Sequence, residues 1–152
     1  MRPLLRTRAL LVAAALLALG CGARGDARDV DFATGVAEEF LRALDAGNAG
    51  ATWSELAAPL RAAVPEASWP AQIARMRAPL GPPVAHRLVS ATFSEALADA
   101  PPGKYFVVEF ESQFSSANAG ERVVPMFESG AWRVAGYFIR NTRPRAAAGN
   151  AP

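Results

Sequence analysis

At 152 residues the chain has room for one domain. Its formal charge of +2 includes three arginines within residues 1–8, and without them 13 basic residues stand against 14 acidic ones. This near-neutral balance excludes the basic surface that nucleic-acid binding needs, and a single cysteine excludes an intramolecular disulfide.

The first 20 residues have the pattern of an export signal. Arginines precede the apolar run ALLVAAALLAL at residues 9–19, which is too short to span a bilayer. The segment Ala18-Leu19-Gly20-Cys21 then resembles a bacterial lipobox, in which the cysteine thiol receives a diacylglyceryl group. We therefore expect a lipoprotein signal peptide at 1–20 and lipidation of Cys21.

This interpretation predicts a periplasm-facing protein that is held in the cell envelope by its N-terminal lipid. Gly22, rather than an aspartate, follows the cysteine and favours the outer membrane. Two alternatives stay open: cleavage after Ala23 would release a soluble periplasmic protein, and Cys21 could be an incidental small residue of the signal.

The rest of the chain divides by composition. Residues 21–30 are predicted to be the lipidated cysteine and a tether, and residues 31–140 a single domain. Residues 141–152 lack periodicity and large apolar side chains, and are predicted to be a disordered tail.

The first half of the domain has helical periodicity. The first helix is predicted to be capped by Asp29 or Asp31. Two more helical segments follow: Pro59 either kinks the second or restarts it as a new first turn, and the third begins at Ser68 with Pro70 in its first turn. The predicted apolar stripe of the first helix consists of Phe32, Val36, Phe40 and Leu44, with Ala37 and Leu41 beside it.

The second half has a period of two, typical of strands. We predict strands at 85–95, 104–114, 121–128 and 131–140, with a tight hairpin at Ser129-Gly130. In the fourth strand, strict alternation puts Trp132, Val134, Gly136 and Phe138 on one face and Arg133, Ala135, Tyr137 and Ile139 on the other. The predicted fold class is α+β, with N-terminal helices packed on a curved four-stranded antiparallel sheet.

Several segments together resemble a bacterial exported family, domain of unknown function 4019. They are Trp53, Ala58-Pro59-Leu60, Trp69, Arg77-Ala78-Pro79-Leu80-Gly81, His86-Arg87-Leu88, residues 105–110, Glu121 and residues 132–139. The chain departs from the family at residues 121–124, Glu-Arg-Val-Val, where members usually carry a threonine after the glutamate. The resemblance implies a cystatin-like or NTF2-like roll and no known activity.

Candidate chemical groups are few. With one histidine, His86, and no phosphate-binding glycine motif, the sequence predicts no metal site, cofactor or nucleophilic catalytic pair. Glu109 and Glu111 lie two residues apart on one strand face. They form either an acid–base pair or a solvated face, with Arg122 or Arg133 as partners across the sheet. If a pocket lies between helices and sheet, the polar groups expected there are Arg77, Arg87, Tyr105 and Tyr137.

Three functional hypotheses follow. The favoured one is a non-catalytic binding or interaction module in the periplasm, with a small apolar ligand or a protein as its partner. The second is an enzyme of the kind that NTF2-like folds support, with Glu109, Glu111 or Tyr105 in an apolar cavity. It requires these groups to lie in a closed pocket. The third is a structural envelope component that binds through an open sheet edge.

Overall fold

The computed structural model describes residues 26–144, and the side chains among them up to residue 140. The predicted signal peptide, Cys21 and most of the predicted tether lie outside the described residues, as does the chain beyond Pro144. Within residues 26–144, no helix combines the length and apolar character needed to cross a bilayer.

Helices precede four strands, as the sequence predicts, although four α-helices form where three helical segments were expected. The helices are α1 (Ala27–Asp45), α2 (Ala49–Thr52), α3 (Ala58–Ala63) and α4 (Trp69–Arg77). The strands are β1 (Pro83–Ser94), β2 (Tyr105–Phe114), β3 (Ala117–Glu128) and β4 (Ala131–Pro144). The strands form one open antiparallel sheet in the order β1-β2-β3-β4, and the helices cover its inner face. The predicted α+β class is confirmed.

Helix α1 begins earlier and is rotated relative to the prediction. Asp26, rather than Asp29 or Asp31, caps it by accepting a hydrogen bond from the backbone N–H of Arg28. The buried positions are Ala33, Ala37, Phe40, Leu41 and Leu44, whereas Phe32 is 65% exposed. A four-residue step exceeds one helical turn by about 40°, so Phe32 lies about 120° around the helix from Leu44. Phe32 of the predicted stripe therefore lies off the buried face, whereas Phe40 and Leu44 lie on it.

The short helices follow the proline positions. Helix α3 starts anew with Pro59 in its first turn, and Pro70 occupies the first turn of α4. Ser68 precedes α4, but its hydroxyl donates to the carbonyl of Pro65 instead of capping the helix. Between α2 and α3, Leu56 bridges to β4, and the neighbouring Ala57 N–H donates to the carbonyl of Val134 at 2.8 Å.

Turn chemistry sets the strand boundaries. Ser129 and Gly130 have φ of 50° and 86°, which is the left-handed pair of a type I′ hairpin, so this predicted turn is confirmed. Strand β3 begins at Ala117, although the sequence predicted a linker up to residue 120. Only Ser115 and Ser116 separate β2 from β3.

A β-bulge reverses the predicted faces of the second half of β4. Val124 pairs with Gly136 and Pro125 with Val134, so Ala135 is an extra residue in β4. As a result, Tyr137 joins Trp132 and Val134 on the buried face, and Phe138 is 59% exposed. The prediction that Phe138 shares a face with Trp132 is wrong, because strict alternation does not anticipate a bulge.

The buried face of α1 can be tested by its effect on stability. Phe40 is buried against the rings of Trp69 and Tyr137, so Phe40→Ala should lower the free energy of unfolding by about 3–5 kcal/mol. Phe32→Ala, on the solvent side of the same helix, should change it by less than about 0.5 kcal/mol. Urea unfolding of both variants checks this, and similar losses in both would contradict the assigned face.

Candidate functional site

The inner face of the sheet carries a buried cluster of charged side chains, where it meets the ends of α1 and α4. We call Asp45, Arg77, His86 and Glu121 the ion cluster. The Glu121 side chain is fully buried, and those of Arg77 and His86 are mostly buried. Asp45 is 25% exposed and is the member closest to solvent.

Arg77 joins two carboxylates. Its Nη2 donates to Oδ1 of Asp45 at 2.7 Å and to Oε1 of Glu121 at 3.3 Å. Its guanidinium also lies over the ring of Phe114, 5.2 Å from the ring centroid. The phenol of Tyr137 donates a short hydrogen bond to the same Oε1 of Glu121. Arg77 and Tyr137 therefore converge on one carboxylate oxygen.

His86 joins the same two carboxylates from the other side. Its Nε2 lies 2.7 Å from Oδ2 of Asp45, and its Nδ1 lies 2.9 Å from Oε2 of Glu121. Nδ1 is also 2.7 Å from the hydroxyl of Ser112. The hydrogen bond of Nδ1 goes to Ser112, and Oε2 of Glu121 accepts no hydrogen bond from the described residues, so the contact between Nδ1 and Oε2 is one of charge. A neutral imidazole donates from one nitrogen only, so the doubly protonated ring is the form that attracts both carboxylates.

The fold explains why these residues meet. Asp45 ends α1 and Arg77 ends α4, while His86 and Ser112 are direct partners across β1 and β2. A carboxylate at a helix C-terminus is unfavourable, because the helix dipole already places negative charge there. The two cations compensate for this at Asp45. The β4 bulge then turns Tyr137 inward to the cluster.

The surroundings of His86 raise its pKa. Burial alone would lower it, but contacts with Glu121 and Asp45, together with their negative charges, outweigh the burial. The charged imidazolium is therefore the favoured form in the fold. This agrees with the geometry, in which each ring nitrogen faces a carboxylate oxygen.

The pKa values of Glu121 and Tyr137 shift in opposite directions. Burial would raise the pKa of Glu121, but contacts with His86, Ser112 and Tyr137 and the charge of Arg77 lower it overall. Burial and the adjacent Glu121 charge raise the pKa of Tyr137 above its ordinary value. The cluster thus pairs two carboxylates with two cations and a neutral phenol.

The remaining predicted site residues lie elsewhere. Arg87 pairs with Glu111, and Arg122 donates to Glu109, on the outer face of the sheet. Glu109 and Glu111 share that face, with side chains 42% and 67% exposed, so they lack the closed pocket that the acid–base hypothesis requires. Tyr105 is buried at the start of β2, where its hydroxyl donates to the carbonyl of Pro101.

Sequence reasoning missed Asp45, His86, Ser112 and Glu121 as site residues. Two signals were present. Glu121 is two residues before Val123, so alternation puts this charge on an apolar face, and Asp45 is an acidic residue at a helix C-terminus. Each is a local conflict that a compensating cation resolves.

Two open clefts flank the ion cluster. Cleft A, of about 450 Å³, is mainly apolar, and its walls include Leu44, Ile73, Arg77 and Phe114. Cleft B, of about 270 Å³, is lined by residues that include Leu41, Asp45, His86 and Leu88. The Arg77–Asp45 ion pair contributes to both clefts, since Arg77 lines cleft A and Asp45 lines cleft B.

The arrangement suits a structural role better than proton transfer. Both nitrogens of His86 and both oxygens of Asp45 are engaged within the cluster. Tyr137 also donates its proton to Glu121. Within residues 26–144, no group of three or more metal-ligating side chains has the arrangement to hold a metal ion.

Fold and site together define an α+β domain whose helices are joined to an open sheet by a buried ion cluster. The model of a family described as "Protein of unknown function (DUF4019)" matches residues 36–137. The chain belongs to this family, which confirms the resemblance found in the sequence. Comparison with the curated proteins and with the solved structures finds no match.

Removing the buried carboxylate should be costly. Glu121→Gln leaves Arg77 and His86 facing Asp45 alone, so we expect it to lower the free energy of unfolding by about 3–5 kcal/mol. Glu111→Gln, which breaks an exposed ion pair on the outer face, is the matched control and should cost less than about 1 kcal/mol. Urea unfolding at pH 7 measures both. Equal effects would contradict a central role of the ion cluster.

The lowered pKa of Glu121 predicts acid sensitivity. Its contribution to stability should be present above its ordinary value of 4.5 and be lost as the pH falls through the lower value in the fold. Unfolding free energies measured between pH 3 and pH 7 should therefore fall less steeply in Glu121→Gln than in the wild type. The measurement belongs at high salt, which screens the exposed Glu109–Arg122 pair. An unchanged slope would contradict the assignment.

Proposed function

We propose that this protein is a lipid-anchored component of the bacterial cell envelope, whose domain is a non-catalytic interaction module in the periplasm. The module binds a protein partner through the outer face of its sheet. The observation that carries this proposal is the exposed trough on that face.

The trough has apolar side chains on its two sides and a glycine, which has no side chain, between them. Helices cover the inner face of the sheet, whereas Val89 on β1 and Phe138 on β4 remain exposed on the outer side. Gly120 lies between Glu111 and Arg140, its partners on the two neighbouring strands, and contributes no side chain. The resulting trough has a volume of about 390 Å³. An exposed aromatic ring at such a gap favours contact with another surface.

The charges of the trough favour an acidic partner segment. Glu109 and Glu111 are each paired with an arginine. Arg140 forms no ion pair within the described residues and acts on Glu109 only through its charge. Arg140 lies two residues from Phe138 on the same strand. A partner with an apolar side chain next to a carboxylate would therefore match this end of the trough.

Two other modes of binding have less support. Cleft A, cleft B and the trough are all open, which gives an enclosed apolar ligand no support from them. Both sheet edges also carry features that hinder pairing. Val84 and Val89 are extra residues at bulges in the β1 edge, and the Leu56 bridge covers part of β4. The outer face is thus favoured over an edge.

The support for the lipid anchor comes from the sequence. If Cys21 carries a lipid, the short segment between it and α1 limits how far the domain can lie from the membrane. Five residues separate Cys21 from Ala27, the first residue of α1. Fully extended, they span no more than about 18 Å. A lipid on Cys21 would therefore keep the domain close to the membrane surface, where envelope partners are concentrated.

The anchor is tested by the intact mass of the protein extracted from its own membranes. We expect residues 21–152 with three acyl chains, and Cys21→Ser should eliminate the acylated species. A wild-type product that begins at Arg24 without lipid would overturn the anchor and support a soluble periplasmic protein.

The binding face is tested by a photo-crosslinking amino acid placed at position 138 in cells. We expect a discrete protein adduct at position 138 that disappears with Arg140→Glu. The same probe at position 32, another exposed phenylalanine on the helical side, is the matched control. Adducts of equal yield at both positions, or no adduct at position 138, would contradict the outer-face assignment.

A further inference from the structure

The ion cluster holds the C-terminal end of α1 through a single side chain. Asp45 uses one carboxylate oxygen for Arg77 and the other for His86. Immediately after it, Ala46 precedes Gly47, whose φ of 78° ends the helix in a left-handed turn. The last turn of α1 thus depends on this carboxylate and on the apolar contacts of Leu41 and Leu44.

We propose that the ion cluster is a pH-sensitive latch, which ties the C-terminal end of α1 to the sheet while His86 is charged and releases it when His86 loses its proton. This inference goes beyond the proposed interaction module, because it concerns the inner face of the sheet and predicts a conformational change there.

The charge balance of the cluster supports the latch. With His86 charged, two cations face two carboxylates, and without that proton Arg77 alone faces both Asp45 and Glu121. A neutral ring keeps a hydrogen bond to one of the two carboxylates, but it no longer attracts either by charge, and it presents a lone pair to the other.

Titratable or charged groups reach the surroundings of His86 from every adjoining element. They are Glu38, Arg42 and Asp45 of α1, Arg77 of α4, Arg87 of β1, Glu111 of β2, Glu121 of β3 and Tyr137 of β4. Arg87 and Glu111 pair with each other, and Ser112 is the uncharged neighbour.

The two carboxylates differ in their access to water. Glu121 is fully buried in the sheet, whereas Asp45 is partly exposed at the end of a helix. Repulsion between them is therefore relieved by outward movement of Asp45 with the last turn of α1. That movement breaks the Arg77–Asp45 pair, whose two members line cleft A and cleft B. The released state therefore changes one wall of each cleft.

The direction of the pH dependence follows from the raised pKa of His86. The attraction is fully present below its ordinary value of 6.5 and is lost as the pH rises through the higher value in the fold. Release is therefore an alkaline event. The acid sensitivity of Glu121 acts at the opposite end of the pH range.

Hydrogen–deuterium exchange of the folded protein tests the latch. Between pH 6 and pH 9, after correction for intrinsic exchange rates, amides 41–48 should lose protection by about tenfold, the scale of one lost charge-assisted hydrogen bond. Amides 105–128 of the sheet should keep theirs. Equal loss in both regions, or no loss in α1, would overturn the proposal.

Variants separate the latch from a general effect of pH. His86→Gln should show low protection of amides 41–48 at both pH values, whereas Arg87→Gln, which breaks an exposed pair on the same strand, should retain the pH dependence. Should His86→Gln fail to fold, Asp45→Asn takes its place. It should expose amides 41–48 at pH 6 while the sheet stays protected, and unchanged protection would overturn the latch.

Discussion

The burial of one carboxylate, Glu121, is the constraint on which the rest of this structure depends. An unpaired charge in a protein interior costs several kcal/mol even after relaxation, and this side chain is fully buried. Two cations and two hydroxyl groups surround it, and they come from α4, β1, β2 and β4. Since Asp45 of α1 then pairs with both cations, the same charge fixes where the first helix ends on the sheet.

Backbone irregularities serve this cluster. The β4 bulge at Ala135 turns Tyr137 toward Glu121 and leaves Phe138 on the outer face. One extra residue therefore supplies both a hydroxyl to the buried cluster and an exposed ring to the outer trough. The two faces of the sheet therefore differ: the charges of the inner face are paired and helices cover it, whereas the outer face carries exposed side chains.

The fold was largely predictable from the sequence, and the site was not. Period-two alternation and the Ser129-Gly130 turn located the strands, and Pro59 and Pro70 located helix starts, because these signals are local. The buried face of α1 depends on packing, and the face of the sheet on which Tyr137 lies depends on a bulge. No local sequence pattern encodes either of them. Arg77 and Tyr137 were expected near a pocket and do converge, but on Glu121, a partner that only strand pairing brings within reach.

The ion cluster depends on a charged His86 that joins two carboxylates. The ¹⁵N chemical shifts of its imidazole nitrogens report this charge directly. His86 is the only histidine in the chain, so its ¹⁵N resonances are unambiguous. At pH 6.5 an unperturbed ring is about half protonated. We expect the wild type to show the ¹⁵N shifts of a ring protonated on both nitrogens, and these shifts to move toward the half-protonated average in Glu121→Gln. A neutral ring in the wild type, with one nitrogen unprotonated at pH 6.5, would contradict a charged His86.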